Sequence, residues 1–169
     1  MMELHQFRHS AFCLKVRMAL AAKKLQYKTI EVSPGIGQIE IFKQSGQKQV
    51  PMLIDGEQIL TDSSKIIRHL DQLNMHSTLI PDNPQEAMQA HLIEDWADTT
   101  LAKACRFALL QAAAIDAELR FALLPETLPA ALRNAIRTAP LEFLEGFPRL
   151  GSEIDQSEIL LSLQKLSKH

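Results

Sequence analysis

Val50-Pro51-Met52-Leu53-Ile54-Asp55-Gly56-Glu57-Gln58-Ile59-Leu60 reads as two short apolar strands around a turn. Asp-Gly between apolar runs is a strong two-residue hairpin signal, so residues 50–54 and 58–60 are expected to pair antiparallel. Upstream, residues 2–7 form a first strand, and Phe12, Val16, Ala19, Leu20 and Lys23 mark one face of a helix over 11–25. Residues 27–32 read as a second strand, rich in β-branched side chains. A turn-rich stretch, Ser33-Pro34-Gly35-Ile36-Gly37, leads to a short helix near 38–44. Downstream, Ile66, Ile67, Leu70 and Leu73 repeat at helical spacing behind Thr61-Asp62-Ser63, residue types that start helices. A strand-helix-strand unit needs a parallel pair, whereas the hairpin needs an antiparallel one. One small mixed sheet flanked by helices satisfies both.

Residues 74–83 carry no periodicity and contain a proline, as a linker would. Asn83, Pro84 and Glu86 then supply a cap, a first helical position and a capping-box partner. The helical pattern runs to about residue 114, as one long helix or as two meeting near Thr99-Thr100. Further helices are expected over 115–124, 128–138 and 153–166, with no strand after residue 60. The expected organisation is a domain over 1–73, a linker over 74–83 and an all-helical domain over 84–169.

The chain has 169 residues, with 18 basic and 20 acidic side chains and a formal charge of -2. That balance lacks the basic face expected of a nucleic-acid binder. No apolar run approaches the roughly 20 residues of a membrane span. The opening Met1-Met2-Glu3-Leu4-His5-Gln6 has no signal-peptide character, so a cytoplasmic location is expected. Cys13 and Cys105 are too few for a disulfide framework and are read as reduced thiols. His91, Glu94, Asp95 and Asp98 share helical spacing, but a metal bundle would need a second such helix, so no metal site is expected.

Three places carry candidate chemistry. Ser10, in Ser10-Ala11-Phe12-Cys13, opens the first helix. It reads as an N-cap, or as a hydroxyl donating to a thiolate held at the positive helix end. Val50-Pro51 heads the third strand, where proline is tolerated as a first residue. A trans bond would suffice there, while a cis bond would turn backbone groups toward an extended peptide ligand. Asp62-Ser63-Ser64 starts the last helix of the domain. It reads as a cap, or as a site where Ser63 holds a ligand carboxylate and Asp62 accepts from an ammonium group.

The order β-α-β-α-β-β-α is thioredoxin-like, and three motifs extend the resemblance. Residues 1–73 resemble the glutathione-binding domain of the glutathione transferase superfamily. Ser10-Ala11-Phe12-Cys13-Leu14-Lys15-Val16-Arg17 resembles the catalytic Ser or Cys region of that superfamily and the C-P-[YF]-C-x-K-V-R of glutaredoxins. Gln49-Val50-Pro51-Met52-Leu53-Ile54-Asp55-Gly56 is similar to Q-V-P-x-L-x-D-G, whose proline is cis. Leu60-Thr61-Asp62-Ser63-Ser64-Lys65-Ile66-Ile67-Arg68-His69-Leu70 is similar to L-x-[ED]-S-x-x-I-x-x-Y-L, with His69 in place of the tyrosine.

The resemblance implies conjugation of glutathione to small apolar electrophiles, with Ser10 catalytic. It implies glutathione contacts from Phe12, Gln49, Val50, Pro51, Asp62 and Ser63. Glutathione is then a co-substrate, no cofactor is required, and a homodimer is expected. Two other functions remain open: a non-catalytic glutathione-fold regulator, and a thiol-disulfide oxidoreductase using Cys13, which stands in the resolving position of the glutaredoxin pattern.

Overall fold

The computed structural model describes residues 1–33, 36–73, 78–126 and 128–139. The expected helix over 153–166 and the Pro34-Gly35 turn lie outside the described residues. Four strands, β1 (Met2–Gln6), β2 (Tyr27–Glu31), β3 (Met52–Asp55) and β4 (Gln58–Thr61), form one sheet in the order β2-β1-β3-β4. β1 and β2 are parallel, and β3 is antiparallel to both β1 and β4, as the two connection types require. Helices α1 (Ala11–Ala22), α2 (Ile36–Ser45) and α3 (Ser63–Leu73) connect and flank the strands.

The pleat divides the apolar residues between two faces. Leu4 and Leu53 meet Val16, Ala19 and Leu20 of α1 and Ile66 and Leu70 of α3 in one cluster. Met52 turns the other way and packs with Val32 and Ile41 of α2. Gly37 lies at the start of α2, where a Cβ would come within 2.9 Å of Val32 Cγ1, so glycine lets that helix settle close to the sheet.

Two local features differ from the sequence reading. The hairpin loop is Gly56-Glu57 instead of Asp55-Gly56, because Asp55 still pairs with Gln58. Gly56 takes φ +60°, the left-handed value that a hairpin with glycine at its first loop position needs. Helix α1 ends at Ala22, three residues short of the expected end. Lys24, at φ +54°, closes it where a glycine is usual. Its N–H reaches Ala21 O and that of Leu25 reaches Leu20 O, each at 3.0 Å.

At that end Lys23 is 1 % exposed. Its Nζ donates to the Asp71 carbonyl at 2.8 Å and to Asp71 Oδ1 at 3.2 Å. Asp71 also accepts from Leu79 N at 2.6 Å and Ile80 N at 3.4 Å. Burial alone would push the Asp71 carboxyl up, but these N–H bonds and the Lys23 ammonium together hold it below the usual carboxylate range. One ion pair thus joins α1, α3 and the segment that follows α3.

Contacts divide the chain into two compact units, Met1–Ala90 and a second beginning at His91. Helix α4 (Pro84–Trp96) starts as expected: Asn83 Oδ1 accepts from Gln85 N at 2.9 Å and Glu86 N at 3.3 Å. The anticipated junction at Thr99-Thr100 is a π-helical stretch over Ala97–Leu101, which leads into α5 (Ala102–Ile115). Thr99 Oγ1 donates to Asp95 O at 2.6 Å there, a side-chain insertion of the kind that bends a helix. Helices α6 (Ala117–Leu123) and α7 (Ala130–Arg137) follow, with no strand after Thr61 among the described residues. No helix among the described residues is long and apolar enough to cross a membrane.

Candidate functional site

Strand register decides which predicted residues meet. His5 of β1 pairs with Met52 of β3, and Met52 pairs with Thr61 of β4. Ser10 follows the end of β1, Val50-Pro51 precedes β3, and Asp62-Ser63 follow β4. All three predicted segments therefore gather at one end of the sheet, where α1 and α3 also begin. Lys15 of α1 donates to Ser64 Oγ of α3 at 3.0 Å, tying the two helix starts together.

Ser10 is the N-cap of α1, with φ -75° and ψ 127°. Its Oγ accepts from Cys13 N at 3.3 Å. A capping hydroxyl uses a lone pair for this, so its own proton can still be donated. The Cys13 thiol is fully buried. Burial pushes its pKa up, and the Ser10 hydroxyl, the Phe7 backbone and Arg17 pull it only partly back. A buried, protonated thiol is a poor nucleophile, which argues against dithiol chemistry through Cys13.

The Val50–Pro51 bond is cis. Pro51 is buried, Val50 and Phe12 are half-buried, and Gln49 is exposed. Asp62 holds φ +75°, a left-handed conformation that Asp tolerates better than most residues. Its Oδ1 accepts from Lys65 N at 3.0 Å, so Asp62 is the side-chain cap of α3. Ser63, in the first turn, is 6 % exposed.

Among the described residues no group of three or more His, Cys, Asp or Glu side chains is placed to hold a metal ion. His69 Nε2 lies 2.9 Å from Asp55 Oδ2, giving the residue in the tyrosine position a partner on the hairpin.

A set of polar residues that the sequence reading passed over stands beside Ser10. Arg17 Nη1 donates to Gln6 Oε1 at 2.5 Å, and Gln6 Nε2 donates to Glu31 Oε2 at 3.2 Å. One signal was present: Gln6 falls on the same strand face as Met2 and Leu4, a polar residue where the alternation calls for an apolar one.

Residues 4–78 match the family profile described as glutathione S-transferase, N-terminal domain. That stretch, less than half of the chain, is similar to the N-terminal domain of glutathione transferases. The chain is also 27% identical over 100 residues to a stringent starvation protein A homolog from Pasteurella multocida. That match covers 56% of this chain and 47% of the relative, so the chain spans about half the length of the curated relative it matches. Among solved structures, a β-etherase from Sphingobium sp. superposes with TM-score 0.60 at 19% identity, covering 95% of this chain and 66% of that one. A tau-class glutathione S-transferase from mango, Mangifera indica, gives TM-score 0.56 at 17% identity, covering 80% and 55%. At these identities the structural likeness concerns the fold.

Proposed function

We propose that this protein is a member of the glutathione transferase superfamily, binds glutathione at the described end of the sheet and conjugates its thiolate to small apolar electrophiles. Phe12, Gln49, Val50, Pro51, Asp62 and Ser63 hold the tripeptide, and Ser10 donates its hydroxyl to the sulfur. The observation that carries this reading is the register His5–Met52–Thr61, which gathers the three motifs at one sheet end. Ser63 and the first turn of α3 offer hydrogen bonds to a carboxylate, and the Asp62 carboxylate can accept from an ammonium group.

Energetics support the role given to Ser10. A free thiol titrates near 8.5, and lowering that by about 2 units needs roughly 2.7 kcal/mol of preferential anion binding. A hydrogen bond to a charged acceptor supplies about 1.5 to 3 kcal/mol, and the α1 dipole up to about 2. The chemistry needs no metal or prosthetic group. A reducing compartment, the cytoplasm, and a homodimer belong to the same proposal. Free Cys13 and Cys105 suit the first, and exposed Met88 and Leu92, one turn apart on α4, suit the second.

A non-catalytic, glutathione-fold regulator is the second reading. The likeness to a stringent starvation protein A homolog favours it. Calorimetry with millimolar glutathione, followed by turnover of a chlorodinitrobenzene-type electrophile, separates the two. Binding with turnover is expected. Binding without turnover moves the protein to the regulator, and no heat from folded protein overturns both glutathione readings.

A further inference from the structure

The segment Phe7-Arg8-His9, which carries Ser10 from β1 into α1, is gripped at the two successive peptide groups that flank the Arg8 Cα. Glu31 Oε1, at the end of β2, accepts from Arg8 N at 2.6 Å. Arg17 Nη2, on α1, donates to Arg8 O at 3.2 Å. Gln6 joins the two grips, since its side chain accepts from Arg17 and donates to Glu31. The neighbouring backbone is fastened as well: Val32 N donates to Gln6 O at 2.8 Å and Ser10 N to Phe7 O at 3.0 Å. Gln6 is 5 % exposed, so its own two bonds are partly screened from water, while the two bonds to Arg8 are exposed. A buried polar link is rigid when every member is satisfied, and this one ties the two exposed grips together.

We infer that Arg17, Gln6 and Glu31 act as positioning residues that fix the Ser10 hydroxyl by clamping the backbone N–H and C=O of Arg8. The inference rests on the proposed role of Ser10. None of the three needs to touch glutathione. Each bond has a single compatible polarity, because Arg17 can only donate and the Glu31 carboxylate can only accept. Gln6 must therefore present its oxygen to Arg17 and its amide nitrogen to Glu31. A catalytic hydroxyl displaced by about 1 Å can lose two orders of magnitude in rate, so a rigid loop has direct value at this place.

The directionality supplies the test, made on the full chain with Glu31→Gln, Gln6→Glu and the two combined. In Glu31→Gln, a glutamine still accepting from Arg8 N turns its amide nitrogen toward that of Gln6. In Gln6→Glu, two carboxylates face each other. The combined variant restores every donor–acceptor pair and leaves the net charge unchanged. Each single variant should speed amide exchange at Arg8 and Ser10 by about tenfold, with Leu4 and Leu53 unchanged. Each should also lower kcat for glutathione conjugation by about tenfold with KM for glutathione within about twofold. The combined variant should return both readouts to near wild type.

Singles that speed exchange equally at Leu4 and Leu53 would overturn the inference in favour of a purely structural bridge. So would a combined variant no better than the singles, or looser Arg8 exchange with kcat intact. A wild-type protein without turnover would overturn the conjugation reading and the catalytic half of this one, while the exchange measurements would still decide the clamp.

Discussion

The N-terminal unit and the helical unit are held together by different means. In the first, Leu4, Val16, Leu20, Met52, Leu53, Ile66 and Leu70 are all at 0 % exposure. Among the described residues from 91 onward, the buried ones are Ala102, Ala104, Ala113 and Pro125. Large apolar side chains there stay open instead, with Leu92, Ile93 and Ile115 more than half exposed. Arg120 does much of the fastening, donating to Ala113 O at 2.9 Å, Ala114 O at 2.7 Å and Arg137 O at 2.9 Å. It thereby satisfies carbonyls at the ends of α5 and α7 that have no helical partner. Phe121 lies under the guanidinium groups of Arg133 and Arg137, at 4.4 and 5.4 Å. A sheet with two covered faces closes its own core, whereas short helices built from alanine and capped by arginine bury little.

Four measurements break or sharpen that contrast. The largest effect is expected at Lys23. Lys23→Ala strips Asp71 of its buried ammonium, and unfolding by urea should show a loss of about 3 to 5 kcal/mol. A loss under 1 kcal/mol would mean that the Leu79 and Ile80 amides satisfy Asp71 alone. The next concerns the site. Ser10→Ala removes the cap of α1, costing about 1 kcal/mol of stability. Losing about 2 kcal/mol of thiolate stabilisation corresponds to roughly 1.5 pKa units and about thirtyfold in rate at neutral pH. Raising the pH to about 9 should recover much of that rate, since the bound thiol then ionises unaided. Wild-type turnover at pH 7 in this variant would move the catalytic role away from Ser10.

The third measurement is acid titration of stability. His5 is 9 % exposed on the sheet face toward α2, and its Nε2 has no hydrogen-bond partner. Burial lowers its pKa from 6.5, against the upward pull of Glu3 and Glu40 and with a small downward one from Lys28. The unfolded chain therefore takes up this proton at higher pH than the folded one. Its stabilising share is complete above about pH 6.5 and declines as the pH falls from there toward the folded value. Denaturation midpoints at pH 7.5 and 5.5 should differ more for the wild type than for His5→Gln; equal differences would remove His5 from the account. Asp71 titrates at lower pH, so the two windows separate. The smallest effect is expected in the helical unit, where Ile115→Ala, at a residue 81 % exposed at the end of α5, should change stability by no more than about 0.5 kcal/mol. A loss of 2 kcal/mol or more would show that this end of α5 is covered in solution.

The elements of the first unit were legible because their signals are local. Alternation along 2–7 and the β-branched run at 27–32 each gave a strand close to its observed bounds, and Asn83-Pro84 marked the start of α4. Asp-Gly and Gly-Glu both fit a two-residue hairpin loop, and only cross-strand pairing of Asp55 with Gln58 chooses between them. The long helical pattern after residue 84 left its interruption open, since the π-helical stretch depends on how successive turns are seated.

Sequence alone determined the strand and helix types, their order, the caps at Ser10 and Asn83, and the three motifs that resemble the glutathione transferase superfamily. These depend on residues within a few positions of one another, where propensity and spacing carry the information. Tertiary structure alone decided that Lys23 is buried against Asp71, 48 positions away. It likewise decided that Arg17 and Glu31, linked through Gln6, hold the backbone of Arg8, and that the His5–Met52–Thr61 register gathers the site at one sheet end. A charged or polar side chain reads as solvated until its distant partner is known. Pairing across a sheet sets which partners come within hydrogen-bond reach, and no local pattern specifies that.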